Sequence, residues 1–180
     1  MIGLFALAAA HAAISRQPPV PIVAPHFEGA SAEQPRRVEA IGSYTLALIW
    51  TPEHCRTPVP GAESFECAAR DGRGFVLHGL WPDGRGASWP QWCEEAAILP
   101  ARTIRRHLRT TPSAQLMQHE WAKHGTCMRT TPDAYFARAA RLFDKLRFPD
   151  MDALGRTPLT AGAFAAAFAR GNRGKTNAHK

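Results

Sequence analysis

Proline and glycine confine this chain to short strands and modest helices, with fifteen prolines and fourteen glycines among 180 residues. Each proline removes a backbone donor and fixes φ, and each glycine raises the entropic cost of order. Regular structure is therefore expected in the intervals between them. Two intervals read as strands. Tyr44–Trp50 is rich in β-formers and of strand length, and Phe75–Trp81 is a second short run, ended by Pro82. Alternation places Phe75 and Leu77 on one face of that strand, with Val76 and His78 on the other. Residues 51–74 between them hold Pro52, Pro58, Pro60, Gly61, Gly72 and Gly74 and read as a loop.

Downstream the signals turn helical. A modest helix is expected around 101–109. Ser113 is placed to cap a helix running to His124, with Gly125 suited to a left-handed C′ position. Thr131, Pro132 and Asp133 open another over about 133–146, where a cap, a first-turn proline and an acid favour the helix start. A last helix, about 161–170, is rich in Ala and Phe and stopped by Gly171. No internal repeat is present, and the mix is α+β.

The ends differ from this middle. Residues 2–12 form an apolar run closing on Ala10-His11-Ala12, an A-x-A-like cleavage pattern. The run is too short for a bilayer, which needs about 20 residues. A signal peptide over 1–12 is expected, with export to the periplasm or medium and no membrane association after cleavage. Residues 13–37 carry five prolines and read as an extended tether. One domain is expected over 38–170, followed by a basic tail, 171–180.

The formal net charge of +7 and pI near 9.8 concentrate polyanions near the surface. Four cysteines, Cys55, Cys67, Cys93 and Cys127, lie outside any C-x-x-C pairing. That argues against a zinc ribbon and leaves two disulfides or inert thiols. Cys55 and Cys67 are close enough in sequence to clip the loop they flank.

The chemistry concentrates in His119-Glu-Trp-Ala-Lys-His124. On a helix His119 and Lys123 are neighbours, as are Glu120 and His124, and the four cover an arc of about 140° at about 100° per residue. Such a face can be nothing more than solvated charge. A zincin site would need a ligand four residues after His119, where Lys123 stands instead. Cleavage of RNA by its own 2′-OH asks for a base, an acid and cations around the phosphorus. Histidine serves either of the first two roles near neutrality, and lysine the last. His78, His119, Lys123 and His124 supply these types with no metal or other cofactor.

Phe75-Val-Leu-His-Gly-Leu-Trp-Pro82 and His119-Glu-Trp-Ala-Lys-His-Gly-Thr-Cys127 resemble the two active-site segments of the ribonuclease T2 family, in order and at a fitting separation. The resemblance implies an α+β fold, a central antiparallel sheet flanked by helices. It implies an endoribonuclease, acting as a monomer on single-stranded RNA through 2′,3′-cyclic phosphates to 3′-phosphates, with broad base specificity. His124 would be the base and His78 the acid. His119 would bind phosphate, with Glu120 and Lys123 steadying the transition state. Trp81 would stack on a base and Asp83 contact a base edge, although Pro82-Asp83-Gly84 can equally start a turn. Trp121 belongs to the core, and His26, His54, His107 and His179 receive no role. The resemblance also implies a Cys93–Cys127 disulfide, leaving Cys55–Cys67 as the second. Family members continue past the last helix into further strands, and here Arg170–Lys180 carries no strand pattern. A sheet without its last strands, from a truncated gene product, is the expectation. It gives the alternative of a catalytically weak or inactive RNA-binding homologue.

Overall fold

The computed structural model describes residues 22–56, 67 and 74–174. The signal-peptide expectation, most of the loop between the strands and the last residues of the basic tail lie outside them. Strand β1 (Ser43–Trp50) pairs antiparallel with β2 (Phe75–Asp83), and together they form a two-stranded sheet. The mixed α+β class is as expected. The central sheet is, among the described residues, this ribbon alone. Among the described residues six helices accompany it: α1 (Thr51–His54), α2 (Ala101–His107), α3 (Ala114–Lys123), α4 (Pro132–Phe143), α5 (Met151–Leu154) and α6 (Ala161–Gly171). A 3₁₀ turn (Gly125–Met128) follows α3.

Strand β2 breaks the expected alternation at one place. Ala47 lies opposite Gly79 and Leu48 opposite Leu77, so His78 is the extra residue of a β-bulge. The bulge shifts the phase, and Leu77 and Leu80, three apart, enter the same core. The outer edge of β2 is satisfied by other elements. Leu77 N–H donates to the Thr110 carbonyl at 3.0 Å. The Tyr135 hydroxyl accepts from Leu80 N–H at 3.3 Å and donates to its carbonyl at 3.2 Å. Leu80 N–H thus points away from β1, and so does position 82 two residues on. Pro82 therefore sits inside the strand, which runs to Asp83 rather than ending at the proline, because no ladder donor is needed there.

Helices α2, α3 and α4 bury Ile104, Met117, Tyr135, Phe136 and Ala139 against Leu77 and Leu80. The expected caps form: Ser113 Oγ accepts from Leu116 N–H and Thr131 Oγ1 from Ala134 N–H. Gly125 does not take the left-handed conformation expected of it; the only described glycine with positive φ is Gly174. Its reason is space. A Cβ on Gly125 would run into the Trp121 ring, which packs against Tyr135 and the core. Helix α6 includes Gly171, and the fully buried Asn172 behind it donates to the Arg147 and Phe168 carbonyls and accepts from Arg147 N–H. Disulfides join Cys55 to Cys67 and Cys93 to Cys127.

Candidate active site

Strand β2 and helix α3 meet through one carboxylate. Glu120 is 1% exposed, and its Oε2 accepts the Trp81 indole N–H at 2.8 Å while its Oε1 lies 3.1 Å from His78 Nε2. Gly79 is what lets the helix come this close, because a Cβ there would overlap the Glu120 carboxyl group. The glycine of His-Gly-Leu-Trp-Pro is thus explained by a side chain forty-one positions later. The bulge gives His78 its place. It is the unpaired residue of β2, held by Glu120 yet 32% exposed at its side chain.

His124 caps the C-terminal end of α3 and is buried. Its ring stacks on Trp81 at 5.4 Å between centroids, while His78 meets the same indole edge-on at 5.5 Å. The two imidazoles therefore flank one tryptophan. Burial, followed by the charges of Lys123, His119 and His78, pushes the His124 pKa down to about 3. The ring is neutral at ordinary pH, with a lone pair available to take a proton. Its Nδ1 is buried without a hydrogen-bond partner among the described residues.

His119 and Lys123 share the helix face with Glu120 and His124 but sit nearer solvent. The arc expected from helical spacing is thus divided by depth: two groups pack inward against β2 and two stand at the rim. That depth excludes a merely solvated face. Trp92 backs the rim pair. Its ring lies edge-on to His119 at 5.5 Å, with Lys123 Nζ 5.9 Å from its centroid. Trp92 N–H donates to the Lys123 carbonyl at 2.8 Å, and the neighbouring Cys93 is bridged to Cys127. Trp92 has φ of 51°, a region uncommon for any residue with a side chain.

Trp81 and Asp83, the two residues expected to contact substrate, are both engaged within the protein. Trp81 has His124 stacked on its ring, His78 edge-on to it and its N–H on Glu120. Asp83 is tied to β1: its Oδ2 accepts from Thr45 Oγ1 at 2.9 Å and Ser43 Oγ at 3.4 Å. Among the described residues no group of three or more His, Cys, Asp or Glu is arranged to hold a metal ion. Sequence reasoning missed Trp92 and Glu28. The Glu28 Oε2 lies 2.9 Å from His119 Nδ1, and a separation of 91 residues leaves no local signal for it.

A family model described as the ribonuclease T2 family matches residues 41–157. A Haemophilus influenzae protein named "Probable ribonuclease" is 32% identical over 119 residues, 59% of this chain and 44% of its own length. A ribonuclease of Aeromonas hydrophila is 36% identical over 106 residues, 59% of this chain and 46% of its own. The chain thus spans less than half the length of these relatives. Among solved structures, an RNase-related protein from Calystegia sepium superimposes with a TM-score of 0.55 at 25% identity, covering 72% of this chain and 75% of that one. Trichomaglin, described as an S-like ribonuclease, gives 0.57 at 20% identity over 72% and 75% and shows the likeness of fold.

Proposed function

The chain belongs to the ribonuclease T2 family, and on that premise we propose that it is an endoribonuclease cutting single-stranded RNA with His124 as base and His78 as acid. The observation that carries this reading is the pair of imidazoles flanking Trp81. One is buried and neutral, the other held by a carboxylate, as a base and an acid need to be.

In the forward step His124 takes the proton of the 2′-OH. The 2′-oxygen bonds to phosphorus as the bond to the 5′-oxygen breaks, and a protonated His78 gives its proton to that leaving oxygen. The product is a 2′,3′-cyclic phosphate. Water then opens the ring to a 3′-phosphate with the two histidines exchanging roles. Lys123 and His119 stand at the rim, suited to the non-bridging oxygens as negative charge grows. A bound phosphate also offsets the positive charges that depress His124, making it a stronger base in the complex than in the free protein. Glu120 acts through His78 and Trp81, fixing both, rather than by touching phosphate. Trp81 is half-buried beside the two imidazoles; stacking on its exposed part would accept any base, consistent with broad specificity. Asp83, two residues on in β2, is already bonded, so a base-edge contact through Oδ2 would require it to release the Thr45 hydroxyl. Export to the periplasm or medium and action as a monomer belong to the same proposal; the two disulfides are of the kind that persists in oxidising compartments.

The test is incubation of the protein with single-stranded RNA in excess EDTA, with fragment ends identified by mass spectrometry. Cyclic-phosphate ends from the wild type, absent with His78→Ala and His124→Ala, are expected. A folded wild type that leaves RNA intact would instead favour the alternative of a binding homologue.

A further inference from the structure

His119 reaches the site from a helix whose next turn back is occupied by an unexpected clamp. Gln115 lies four residues before His119, so the two share a face of α3. The Gln115 side-chain carbonyl accepts from His26 N–H at 2.8 Å, and its amide donates to Glu28 Oε1 at 2.6 Å. The other Glu28 oxygen lies 2.9 Å from His119 Nδ1. Both carboxylate oxygens are therefore taken by two residues one helical turn apart.

The segment carrying Glu28 is secured on both sides. Ile22 packs against the main core and Pro25 is buried. Further on, Arg37 exchanges backbone hydrogen bonds with Gln91, Gln91 Nε2 donates to the Pro35 carbonyl, and Arg36 Nε donates to the Cys93 carbonyl. Those partners adjoin Trp92, the residue that backs His119 and Lys123. Residues 22–37 thus form a strap across the catalytic helix, where sequence alone suggests a tether. Glu28 lies outside residues 41–157, the stretch matched by the family, so the strap is a feature of this chain beyond that stretch.

We propose that Glu28 is a positioning residue, holding His119 through Nδ1 so that its Nε2 is presented to the RNA phosphate. The proposal rests on the ribonuclease reading for the word phosphate, though not for the pairing itself. The chemistry follows from donor inventory. An ionised carboxylate only accepts, so the Nδ1 beside it must carry the proton. Burial alone would raise the Glu28 pKa, but the hydrogen bonds from His119 and Gln115 and the nearby histidine charges outweigh it, and the net direction is down. The carboxylate is therefore ionised at neutral pH. Phosphate oxygens also only accept, so His119 engages them as the imidazolium, with Nδ1–H on Glu28 and Nε2–H on the phosphate. Fixing the ring by the nitrogen away from its working one sets its orientation for that contact.

The test uses the full chain with Glu28→Ala and Glu28→Gln. Nitrogen-15 chemical shifts of His119 at neutral pH report which nitrogen holds the proton. We expect Nδ1–H in the wild type, a shift towards Nε2–H in E28A, and retention of Nδ1–H in E28Q, whose amide oxygen can still accept. For cleavage of single-stranded RNA, kcat/KM is expected to fall about tenfold in E28A, the lower end of the range for an outer-shell partner of a working histidine. Most of the loss should lie in KM, with E28Q recovering the greater part. An unchanged His119 tautomer in E28A, or unchanged kcat/KM, overturns the proposal. Faster cleavage by E28A also overturns it, because the carboxylate would then be competing with phosphate. If the wild type cleaves nothing, the ribonuclease reading fails by itself, while the tautomer still decides whether Glu28 holds His119.

Discussion

Adding one methyl group at Gly79 should disable the site from the inside. An alanine Cβ at this position would overlap Glu120 Oε2 and stand 2.5 Å from its Cδ and 3.1 Å from its Cγ. Atoms at such separations repel, so either the bulged strand or the carboxylate must move. Overpacking of a buried position costs about 1–3 kcal/mol. If Glu120 swings away it also gives up the charge-assisted bond from Trp81, about 1.5–3 kcal/mol, and its hold on His78. Gly79→Ala should therefore destabilise by about 2.5–6 kcal/mol, taking the two terms together. For a chain of this length that is a fall in melting temperature of about 5–24 °C. Cleavage at a temperature where the variant is folded should drop about a hundredfold, the penalty for misplacing a reacting group by an ångström. The deciding measurement is a double-mutant cycle by thermal melting. Once Glu120→Ala has emptied the contested space, adding Gly79→Ala should cost far less, with a coupling of about 2–3 kcal/mol. Strict additivity, or a G79A protein with wild-type melting and cleavage, would refute the claim that Glu120 is the reason for this glycine.

Other expectations follow from the same geometry. His124→Ala and His78→Ala should each lower the RNA cleavage rate by about a hundredfold or more, and a variant retaining its rate removes that residue from the acid–base pair. Trp81→Phe keeps an aromatic ring but deletes the donor to Glu120 and shrinks the indole, so stability should fall by at least about 1.5–3 kcal/mol, read from urea unfolding. Gly125→Ala forces the Trp121 ring to move, and a loss of about 1–3 kcal/mol is expected; an unaffected melt would show that the ring has room. The pH dependence has a definite sign. His124 has a pKa of about 3 in the folded state against 6.5 as reference, so the unfolded chain takes up its proton first on acidification. Its contribution is complete above about 6.5 and is lost as pH falls towards about 3. Urea midpoints at pH 7 and 4.5 should therefore differ more for the wild type than for His124→Asn, and equal differences would contradict the buried neutral imidazole.

What the sequence alone determined is local or strongly patterned. Ser113 and Thr131 mark helix starts because a hydroxyl can satisfy orphan donors three residues on, a short-range rule that needs no tertiary context. The two strands follow from β-forming runs of the right length, and their antiparallel pairing realises the α+β class. The helical spacing of His119, Glu120, Lys123 and His124 put four polar groups on one side of a helix, and the order of two short segments pointed to a family. Tertiary structure decided what each group is able to do. The bulge at His78 arises because core packing of both Leu77 and Leu80 overrides strict alternation. The glycines at 79 and 125 answer to Glu120 and Trp121 rather than to backbone torsion, and the first of these partners is remote in sequence. Depth separates His124 from Lys123, adjacent residues with opposite surroundings, because α3 ends against β2 and Trp81. Glu28 meets His119 across 91 residues. No periodicity encodes that distance; only a chain folded back over its own helix brings them together.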